Sequence, residues 1–415
     1  MREMKDSGIS WVGEIPKEWS VWRNKYIFKI TKDIVLPSKS YQLLSLTTTG
    51  IKEKDENDNG GKVPENYDGY QIVKENDLVM CLFDLDCSAV FSGLSPYNGM
   101  ISPAYKVLKV KKRIANEQYY RYWFNYVGSK RFYKQYSKSL RFTLNADEFN
   151  RLFSLLPPLD EQQRIAEFLD RECGKIDGLK ADIQAQIDTL EQYKRSVITE
   201  AVTHGLNPSA PMKDSGIPWV GQFPTHWTKK KGKYILRYMS KPVKQDDGVI
   251  TCFRDGEVTL RSNRREDGFT MADKEIGYQG VDVGDLVVHG MDGFAGAIGI
   301  SDSRGKASPV LNVLNTKQNK KYIMYYLRSM AYGDVFTALS TGIRVRSCDL
   351  RWNKLAELLY PLPPIDEQNN IVNYIDEQIA RTNEIIADKK SQIETLDGYK
   401  KSLIYEYVTG KKEVG

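Results

Sequence analysis

The sequence predicts a mixed α/β (α+β) protein in which two pseudo-repeated α/β domains are joined by two long helices. Three observations lead to this fold class: the sequence contains two copies of one unit, each copy begins with short strand-like segments, and each copy ends in a long stretch with helical periodicity. The chain has 415 residues, of which 41% are hydrophobic and 27% are charged. This composition excludes a disordered chain and supplies apolar material for more than one core.

The repeat is visible in motifs that recur in the same order. The segment Met4–Ile9 (Met-Lys-Asp-Ser-Gly-Ile), followed by Trp-Val-Gly, recurs at Met212–Ile217. Leu-Pro-Pro-Leu-Asp-Glu-Gln at Leu156–Gln162 recurs as Leu-Pro-Pro-Ile-Asp-Glu-Gln at Leu362–Gln368. Each copy closes with a Thr-Leu-x-x-Tyr-Lys motif. Between these anchors the copies differ freely, which suggests one scaffold that carries two surfaces for two different targets.

The position of the shared motifs divides the chain into four expected segments. Strand-like runs alternate with Gly, Pro and Asn in the first part of each copy, and short helical stretches are expected near residues 119–124 and 322–327. We therefore expect α/β domains at residues 1–158 and 208–364, each followed by a helix, at residues 159–207 and 365–415.

The two long helices have predicted ends. The residue before a proline avoids the helical region, so each Pro-Pro pair ends the preceding segment. Asp160 and Asp366 follow these pairs and are predicted N-caps. Gly205 and Gly410 lie near the far ends, where a glycine can adopt the left-handed cap conformation.

A narrow apolar seam on both helices predicts a coiled coil. In the first helix apolar residues recur every seven positions, with two more between them, and the second helix repeats the pattern. We favour the interpretation that the two seams pair with each other; the alternative is that each seam packs on its own α/β domain. The seam residues are Ile176, Leu179, Ile183, Ile187, Leu190 and Val197 in the first helix and Ile379, Ile386, Ile393, Leu396 and Leu403 in the second.

No catalytic constellation is found in the sequence. No Gly-Lys pair is followed by Ser or Thr, so there is no phosphate-binding P-loop, and the three histidines are scattered without a Cys-x-x-Cys partner. No glycine-rich cofactor fingerprint follows a strand. Asp84 and Asp292 occupy equivalent positions, but without a partner at fixed spacing we interpret them as turn or cap residues. The sequence predicts a chain that is not an enzyme and binds no metal.

The sequence also restricts the compartment and the class of partner. No stretch has the roughly 20 apolar residues of a membrane span, and the N-terminus lacks the form of a signal peptide. Five cysteines at no regular spacing argue against a disulfide framework. We therefore expect a cytoplasmic chain with no membrane partner. The net charge of +6 suits binding to a polyanion, although ordinary proteins can reach the same charge.

Candidate nucleic-acid contacts occur in both copies. Lysine and arginine neutralise phosphates, and arginine can read guanine through two hydrogen bonds. In the first copy a basic stretch is interleaved with aromatic residues; we interpret the aromatics mainly as core and the cations as facing a polyanion, while a merely solvated basic face is the alternative. The candidates are Thr47, Thr49, Lys52, Lys130, Arg131, Lys134, Lys138 and Arg141 in the first copy, and Arg254, Arg261, Asn263, Arg264, Arg265, Arg344 and Arg346 in the second.

The repeated opening, the Leu-Pro-Pro-[Leu/Ile]-Asp-Glu-Gln motif and the closing Thr-Leu-x-x-Tyr-Lys-[Arg/Lys]-Ser-x-Ile motif together resemble the specificity subunits of type I restriction-modification systems. The resemblance covers the full length in the expected order. It implies two target recognition domains, each reading one half of a bipartite DNA sequence, and two helices that form an antiparallel coiled coil and set the gap between the halves. Because recognition domains vary widely within the family, it transfers no individual contact residue.

The resemblance also implies partners and cofactors. These are double-stranded DNA, two modification subunits that methylate adenine at N6, and two restriction subunits that translocate and cleave DNA. S-adenosylmethionine, ATP and Mg²⁺ are then expected on the partner subunits and none of them on this chain. The alternatives are a free-standing bipartite DNA-binding regulator, an adaptor coiled-coil protein with incidental basic loops, and a solitary methyltransferase, which the missing cofactor loop disfavours.

Overall fold

The computed structural model describes residues 2–35, 41–54, 67, 69–264, 276–339 and 350–414. It divides into two compact units. The first contains Met1–Ile183 and Ser391–Gly415, and the second contains Gln184–Lys390. Each unit therefore takes one part of each long helix.

The first unit is built from short strands and helices. Its strands are β1 (Met4–Asp6), β2 (Glu14–Pro16), β3 (Ser20–Arg23), β4 (Phe28–Thr31), β5 (Leu44–Thr47), β6 (Gly50–Glu53), β7 (Gln71–Val73), β8 (Leu78–Met80), β9 (Ser92–Leu94), β10 (Gly99–Ile101), β11 (Lys106–Val110) and β12 (Phe153–Leu156). Its helices are α1 (Asn24–Ile27), α2 (Glu117–Ser129), a 3-10 helix at Phe132–Tyr136, α3 (Ala146–Arg151) and the beginning of α4 (Leu159–His204).

The second unit repeats this order. Its strands are β13 (Met212–Asp214), β14 (Gln222–Pro224), β15 (Thr228–Lys231), β16 (Leu236–Tyr238), β17 (Ile250–Cys252), β18 (Val258–Leu260), β19 (Gln279–Val281), β20 (Leu286–His289), β21 (Ile298–Ile300), β22 (Gly305–Ala307), β23 (Leu311–Thr316) and β24 (Leu359–Leu362). Its helices are α5 (Gly232–Ile235), 3-10 helices at Arg261–Asn263 and Gly293–Ala295, α6 (Lys320–Tyr332), α7 (Val335–Ala338), α8 (Trp352–Glu357) and the beginning of α9 (Ile365–Val408).

Strand pairing repeats as well as strand order. Among the described residues, the first unit has an antiparallel sheet in the order β4-β11-β8-β9 and the pairs β1-β2, β3-β12, β5-β6 and β7-β10. The second unit has β16-β23-β20-β21 and the pairs β13-β14, β15-β24, β17-β18 and β19-β22. Each pair has its counterpart, so the predicted duplication and the mixed α/β class are confirmed at the level of topology.

The aromatic residues of the predicted short helices form the cores. In α2, Tyr119, Tyr120 and Trp123 are completely buried, and the equivalent α6 buries Tyr322 and Tyr326. Ring pairs such as Tyr119–Tyr120, with centroids 5.1 Å apart and nearly perpendicular planes, have the geometry that aromatic quadrupoles favour. The interpretation of these aromatics as core is confirmed.

The Glu-Gln of each Leu-Pro-Pro motif joins the α/β part to its helix. Trp19 Nε1 donates to Glu161 at 2.9 Å, and in the second unit Trp227 Nε1 donates to Glu367 at 3.0 Å. The buried amide of Gln162 donates to the carbonyls of residues 114 and 157 and accepts from the backbone N–H of residue 116. Trp19 and Trp227 occupy equivalent positions in the two copies, and they recur together with the Glu-Gln motif because the two features contact each other.

The predicted N-caps are wrong. The helices begin at Leu159 and Ile365, so Asp160 and Asp366 lie inside the first turn. The carbonyl of Pro158 already accepts from the N–H of Gln162 at 2.9 Å, because a proline φ angle is compatible with the start of a helix. A carboxylate in the first turn still stabilises the helix through its dipole.

The far ends agree with the prediction. Helix α4 has 46 residues and ends at His204; α9 has 44 residues and ends at Val408. The glycines that follow adopt left-handed conformations, with φ of +78° at Gly205 and +69° at Gly410. A side chain at Gly410 would also collide with Pro16, so only glycine fits this position without rearrangement.

The two long helices pack against each other in antiparallel orientation. In the first unit Lys180 contacts Asp397, and Lys400 Nζ lies 2.7 Å from both oxygens of Asp177. Later residues of α4 thus contact earlier residues of α9, which requires antiparallel chains. In the second unit Lys194 Nζ donates to Asn383 at 2.8 Å, in the same sense.

The seam was predicted correctly except at one residue. Ile176, Ile187 and Ile386 are buried, but Leu179 is 53% exposed. The seam position next to it is taken by Lys180, whose side chain is 26% exposed. A lysine can place its aliphatic stem along an apolar seam while its charged end reaches a partner at the edge.

The described residues also include two predicted turns and four cysteines. Asp84 and Asp292 lie in turns, as predicted. The cysteines in the described part of the chain, Cys81, Cys87, Cys173 and Cys252, carry free thiols. Across the same residues, no helix has the length and apolar character to cross a membrane, and no cluster of histidine, cysteine and carboxylate side chains is arranged to hold a metal.

Candidate nucleic-acid interface

A cleft in the second unit brings together three of the predicted arginines. The strands β17 and β18 are joined by a tight turn in which the N–H of Phe253 donates to the carbonyl of Glu257 at 2.8 Å. Arg254 lies on this turn, and Arg261 and Arg264 follow β18. All three line one cleft of about 870 Å³. Residues from a hairpin and the segment after it thus form a single basic surface.

Carboxylates orient two of these guanidinium groups. Arg254 Nη2 donates to Asp292 Oδ1 at 2.9 Å. Arg264 Nη1 lies 2.7 Å from Asp255 and 2.9 Å from Glu257, and its guanidinium lies over the Phe253 ring at 4.1 Å. Stacking and ion pairing reduce the rotamer freedom of an arginine before it meets a ligand.

His289 belongs to this cleft and was not among the sequence candidates. Its Nδ1 accepts hydrogen bonds from the backbone N–H of Met291 at 3.2 Å and of Asp292 at 2.9 Å. The proton of the neutral ring must then be on Nε2. Burial, with a contribution from Arg254, lowers the pKa of His289 although Asp292 opposes it, so the ring is neutral at pH 7. The only sequence signal was a histidine immediately before the Gly-Met-Asp-Gly turn.

The remaining candidates of the second unit are less uniform. Arg261 Nε lies 3.4 Å from Thr251 Oγ1, and Asn263 donates to Thr259 Oγ1 at 2.9 Å. Both residues follow the hairpin directly, and both side chains already have polar partners within the unit. Arg265, Arg344 and Arg346 lie outside the described residues.

The equivalent hairpin of the first unit carries threonines. Thr47 Oγ1 donates to the carbonyl of Gly50 at 2.7 Å and lies 3.1 Å from Thr49 Oγ1. Thr49 lines a cleft of about 900 Å³, whose other walls include Gln118 and residues of both long helices. Lys52 is exposed on β6. The same hairpin thus presents hydroxyl groups in one unit and guanidinium groups in the other.

The basic stretch of the first unit lies elsewhere on the same domain. Lys130, Arg131, Lys138 and Arg141 are exposed, and Lys134 Nζ lies over the Phe142 ring at 4.4 Å. Arg131 and Lys134 line a small cavity that is different from the cleft at Thr49. The structure therefore separates the candidates of the first unit into a hairpin group and a basic-loop group.

Comparison with known proteins agrees with the motifs. No family profile matches the chain. In sequence it is 22% identical over 441 aligned positions to the putative type I restriction enzyme MjaX specificity subunit of Methanocaldococcus jannaschii, and the alignment covers 97% of this chain and 96% of the relative.

Solved structures give a fold match of similar extent. A chain from the type I R-M system, solved in a study of complex assembly and conformational transition, superposes with a TM-score of 0.68 at 13% identity, covering 96% of this chain and 99% of that one. The HsdS subunit from Thermoanaerobacter tengcongensis superposes less closely, with a TM-score of 0.49 at 13% identity over 96% and 98% of the two chains. The chain is thus a homologue, over nearly its full length, of a type I restriction enzyme specificity subunit, and it shares its fold with a chain of a type I R-M system.

Proposed function

We propose that this chain is the DNA-recognition subunit of a type I restriction-modification complex, in which each α/β domain reads one half of a bipartite DNA target. The recognition domains correspond to residues 1–158 and 208–364. The observation that carries the proposal is the repeated topology with different chemistry at the β5-β6 and β17-β18 hairpins, which present threonines in one unit and arginines in the other. Two different half-sites demand different base-reading groups on one scaffold.

The charge distribution supports DNA as the ligand. Arginines in the cleft of the second unit can reach base edges or phosphates. His289 adds a hydrogen-bond donor, its Nε2–H, because backbone N–H groups fix the tautomer of the ring. In the first unit, contacts with base edges and phosphates are shared between the threonine hairpin and the basic loop. We keep Arg265, Arg344 and Arg346 as candidate contacts on the basis of the sequence.

In the proposed complex this chain recognises DNA and holds the subunits together, and the partner subunits catalyse methylation and cleavage. Two modification subunits, carrying S-adenosylmethionine, dock on the helices at residues 159–207 and 365–415 and methylate adenine at N6. Two restriction subunits add ATP- and Mg²⁺-dependent translocation and cleavage. This chain binds none of these cofactors, has no catalytic residue and acts on DNA in the cytoplasm.

The direct test is methylome sequencing. A host that expresses this chain with its cognate modification subunit is compared with a host that expresses the modification subunit alone. We expect a new N6-methyladenine motif with two specified halves and a fixed gap. The control is the same modification subunit with another specificity chain, which must yield that chain's own motif. If the control methylates and this chain adds no motif, a free-standing DNA-binding regulator becomes the better explanation.

The paired helices are proposed to set the gap between the half-sites. Removing Gln184–Leu190 from α4 and Ala387–Ile393 from α9 deletes one heptad from each helix, in segments already joined by the Lys389–Gln186 hydrogen bond. The heptad phase is kept, and the helices shorten by about 10 Å at 1.5 Å per residue. Since DNA rises about 34 Å in ten base pairs, the methylated motif should lose about three base pairs of gap.

A stability measurement provides the control for the deletion experiment. Deletion from α4 alone puts the seams out of register and is expected to lower the thermal stability of the chain, whereas the matched deletion preserves the seam contacts. A matched deletion that folds, methylates and keeps the original gap contradicts the spacer role of the helices.

A further inference from the structure

One loop of the first unit presents an apolar side chain entirely to solvent. Leu140 is 101% exposed, more than any other large hydrophobic residue in the described part of the chain. It lies at the tip of the segment between Ser137 and Leu144. Isolated apolar residues are common on protein surfaces, so exposure alone implies nothing. Leu140 differs from such residues because hydrogen bonds hold its loop in one conformation.

Hydrogen bonds within the loop fix its conformation. The N–H of Phe142 donates to the carbonyl of Ser139 at 3.0 Å, which closes a turn with Leu140 at its second position. The N–H of Thr143 donates to Ser139 Oγ at 2.7 Å, and Ser137 Oγ donates to the carbonyl of Thr143 at 2.9 Å. Two serine side chains thus tie the ends of the turn together.

The loop is also attached to the body of the domain. The carbonyls of Arg141 and Phe142 accept from the N–H groups of Asp84 at 3.1 Å and Leu85 at 3.2 Å. The N–H of Leu144 donates to the carbonyl of Leu82 at 2.7 Å. A side chain held on such a support loses little further conformational entropy when it meets a ligand.

Backbone strain is concentrated at this support. Asp84, Arg131 and Phe142 have φ angles of +50°, +53° and +44°, a region that residues with a Cβ rarely adopt. Asp84 belongs to the support, because its N–H donates to the carbonyl of Arg141. Phe142 lies in the loop itself, and its ring contacts Lys134. Arg131 lines the same small cavity as Lys134 and Leu85. Strained residues that the surroundings hold in place are typical of ligand-binding segments.

The surroundings of Leu140 are cationic. Lys138 and Arg141 flank it in sequence and are exposed, and Lys134 Nζ lies over the ring of Phe142, two residues further along the loop. An apolar tip flanked by cations does not suit a basic protein surface. It suits duplex DNA, where phosphates lie on either side of grooves whose floor is formed by the bases.

We propose that Leu140 is an apolar base contact of the first recognition domain: the surrounding cations bind the phosphates and Leu140 enters a groove and packs against a base of the first half-site. The inference rests on the proposed function and adds a residue that composition and charge could not single out. A leucine that packs on a base contributes no counterion release, whereas a lysine on a phosphate does. Salt dependence therefore distinguishes the two roles.

The test uses the full chain assembled with its modification subunits and duplexes that carry the bipartite motif from the methylome. Equilibrium affinity is measured over a range of salt concentrations for wild type, Leu140→Ala, Leu140→Asn and Lys138→Ala. We expect both leucine variants to bind roughly ten-fold more weakly with an unchanged salt slope. Lys138→Ala should reduce the slope by about one.

A double-mutant cycle locates the contact. Altered bases in the first half-site should lower the affinity of Leu140→Ala less than they lower the affinity of wild type. Altered bases in the second half-site should lower the affinity of both proteins equally. Because the Leu140 side chain has no buried contacts, the thermal unfolding of Leu140→Ala should match wild type.

Each outcome has a separate meaning. Wild type that does not prefer its motif to a scrambled duplex overturns the proposed function, and the inference falls with it. Wild type that discriminates, with a leucine variant of equal affinity, overturns the inference alone. A variant that assembles poorly with the modification subunits but binds DNA normally once assembled also overturns it, since Leu140 then contacts protein.

Discussion

Replacing both Arg254 and Arg264 with alanine is expected to lower the affinity of the assembled complex for its target by about 100-fold. A good base contact by arginine contributes about 1–3 kcal/mol. The loss is increased because Asp292 loses its partner Arg254, while Asp255 and Glu257 lose Arg264. Unpaired carboxylates in the cleft would then repel the phosphates. Affinity is measured on duplexes that carry the bipartite motif.

The second unit offers a control with the same change in charge. Lys231 and Lys233 both lie 2.7 Å from Glu357, and the pair keeps the pKa of that carboxyl near 2. The double variant Lys231→Ala/Lys233→Ala also removes two ion-paired cations, but from strand β15 and helix α5 outside the cleft. We expect less than about a three-fold effect from long-range electrostatics. Equal losses in the two double variants would show that net charge, and not the cleft, determines affinity.

The same pair of variants can be compared on altered half-sites. If the cleft reads the second half-site, the Arg254/Arg264 variant should lose discrimination there and keep it in the first half-site. Uniform loss across all sequences would assign the arginines to phosphates, since phosphate contacts carry no sequence information.

The architecture could be predicted from the sequence because its determinants are repeated locally. Motifs that recur in order require a duplicated fold, and the helices could be located from their periodicity and from the glycines at residues 205 and 410. The structure explains the motifs by contact: Trp19 meets Glu161, and Trp227 meets Glu367. A pairing between residues more than a hundred positions apart cannot be seen in the spacing of either motif.

The errors have identifiable physical causes. Apolar periodicity alone places Leu179 in the seam, but an interhelical contact alternates steps of three and four residues and accepts a lysine stem at position 180. Residue preference favours aspartate at the N-cap, although a proline can occupy the start of a helix. The scattering of the three histidines argues against a metal site and does not distinguish His289 from the other two.

The candidate site was predictable in composition but not in arrangement. Arginine density identified residues 254, 261 and 264, and the structure places them around one cleft. The orientation of Arg254 depends on Asp292, which comes from a turn later in the sequence. The sequence likewise contained Leu140, yet only the folded loop shows that this side chain is exposed on a fixed support.

Replacing Gln368 with leucine is expected to destabilise the second unit by about 3 kcal/mol or more. The residue is completely buried. Its Nε2 donates to the carbonyl of Pro363 at 2.9 Å and to Gln318 Oε1 at 2.7 Å, and its Oε1 accepts from the N–H of Asn319 at 3.0 Å. Leucine has a similar size but satisfies none of these groups, and each buried polar group left unpaired costs about 1–3 kcal/mol.

This glutamine also determines how a recognition domain is attached to its helix. Asn319 caps α6 by accepting from the N–H groups of residues 321 and 322, while Gln368 belongs to the first turns of α9. The hydrogen bond between them therefore fixes the N-terminal end of α6 to the start of α9 within the second unit. Loss of this bond should loosen α6 on α9 before the unit unfolds, and hydrogen exchange should rise first at the N-terminal turn of α6.

Gln184→Leu on α4 is the matched control. Its amide donates to Asp188 at 2.9 Å, one turn further along the same exposed helix face. The substitution is therefore expected to change the free energy of unfolding by less than about 0.5 kcal/mol. Chemical denaturation of both variants compares the two effects directly. If Gln368→Leu is no less stable than Gln184→Leu, the buried amide does not hold α6 to α9, and the recurrence of Glu-Gln at the start of both helices requires another cause, such as docking of a partner subunit.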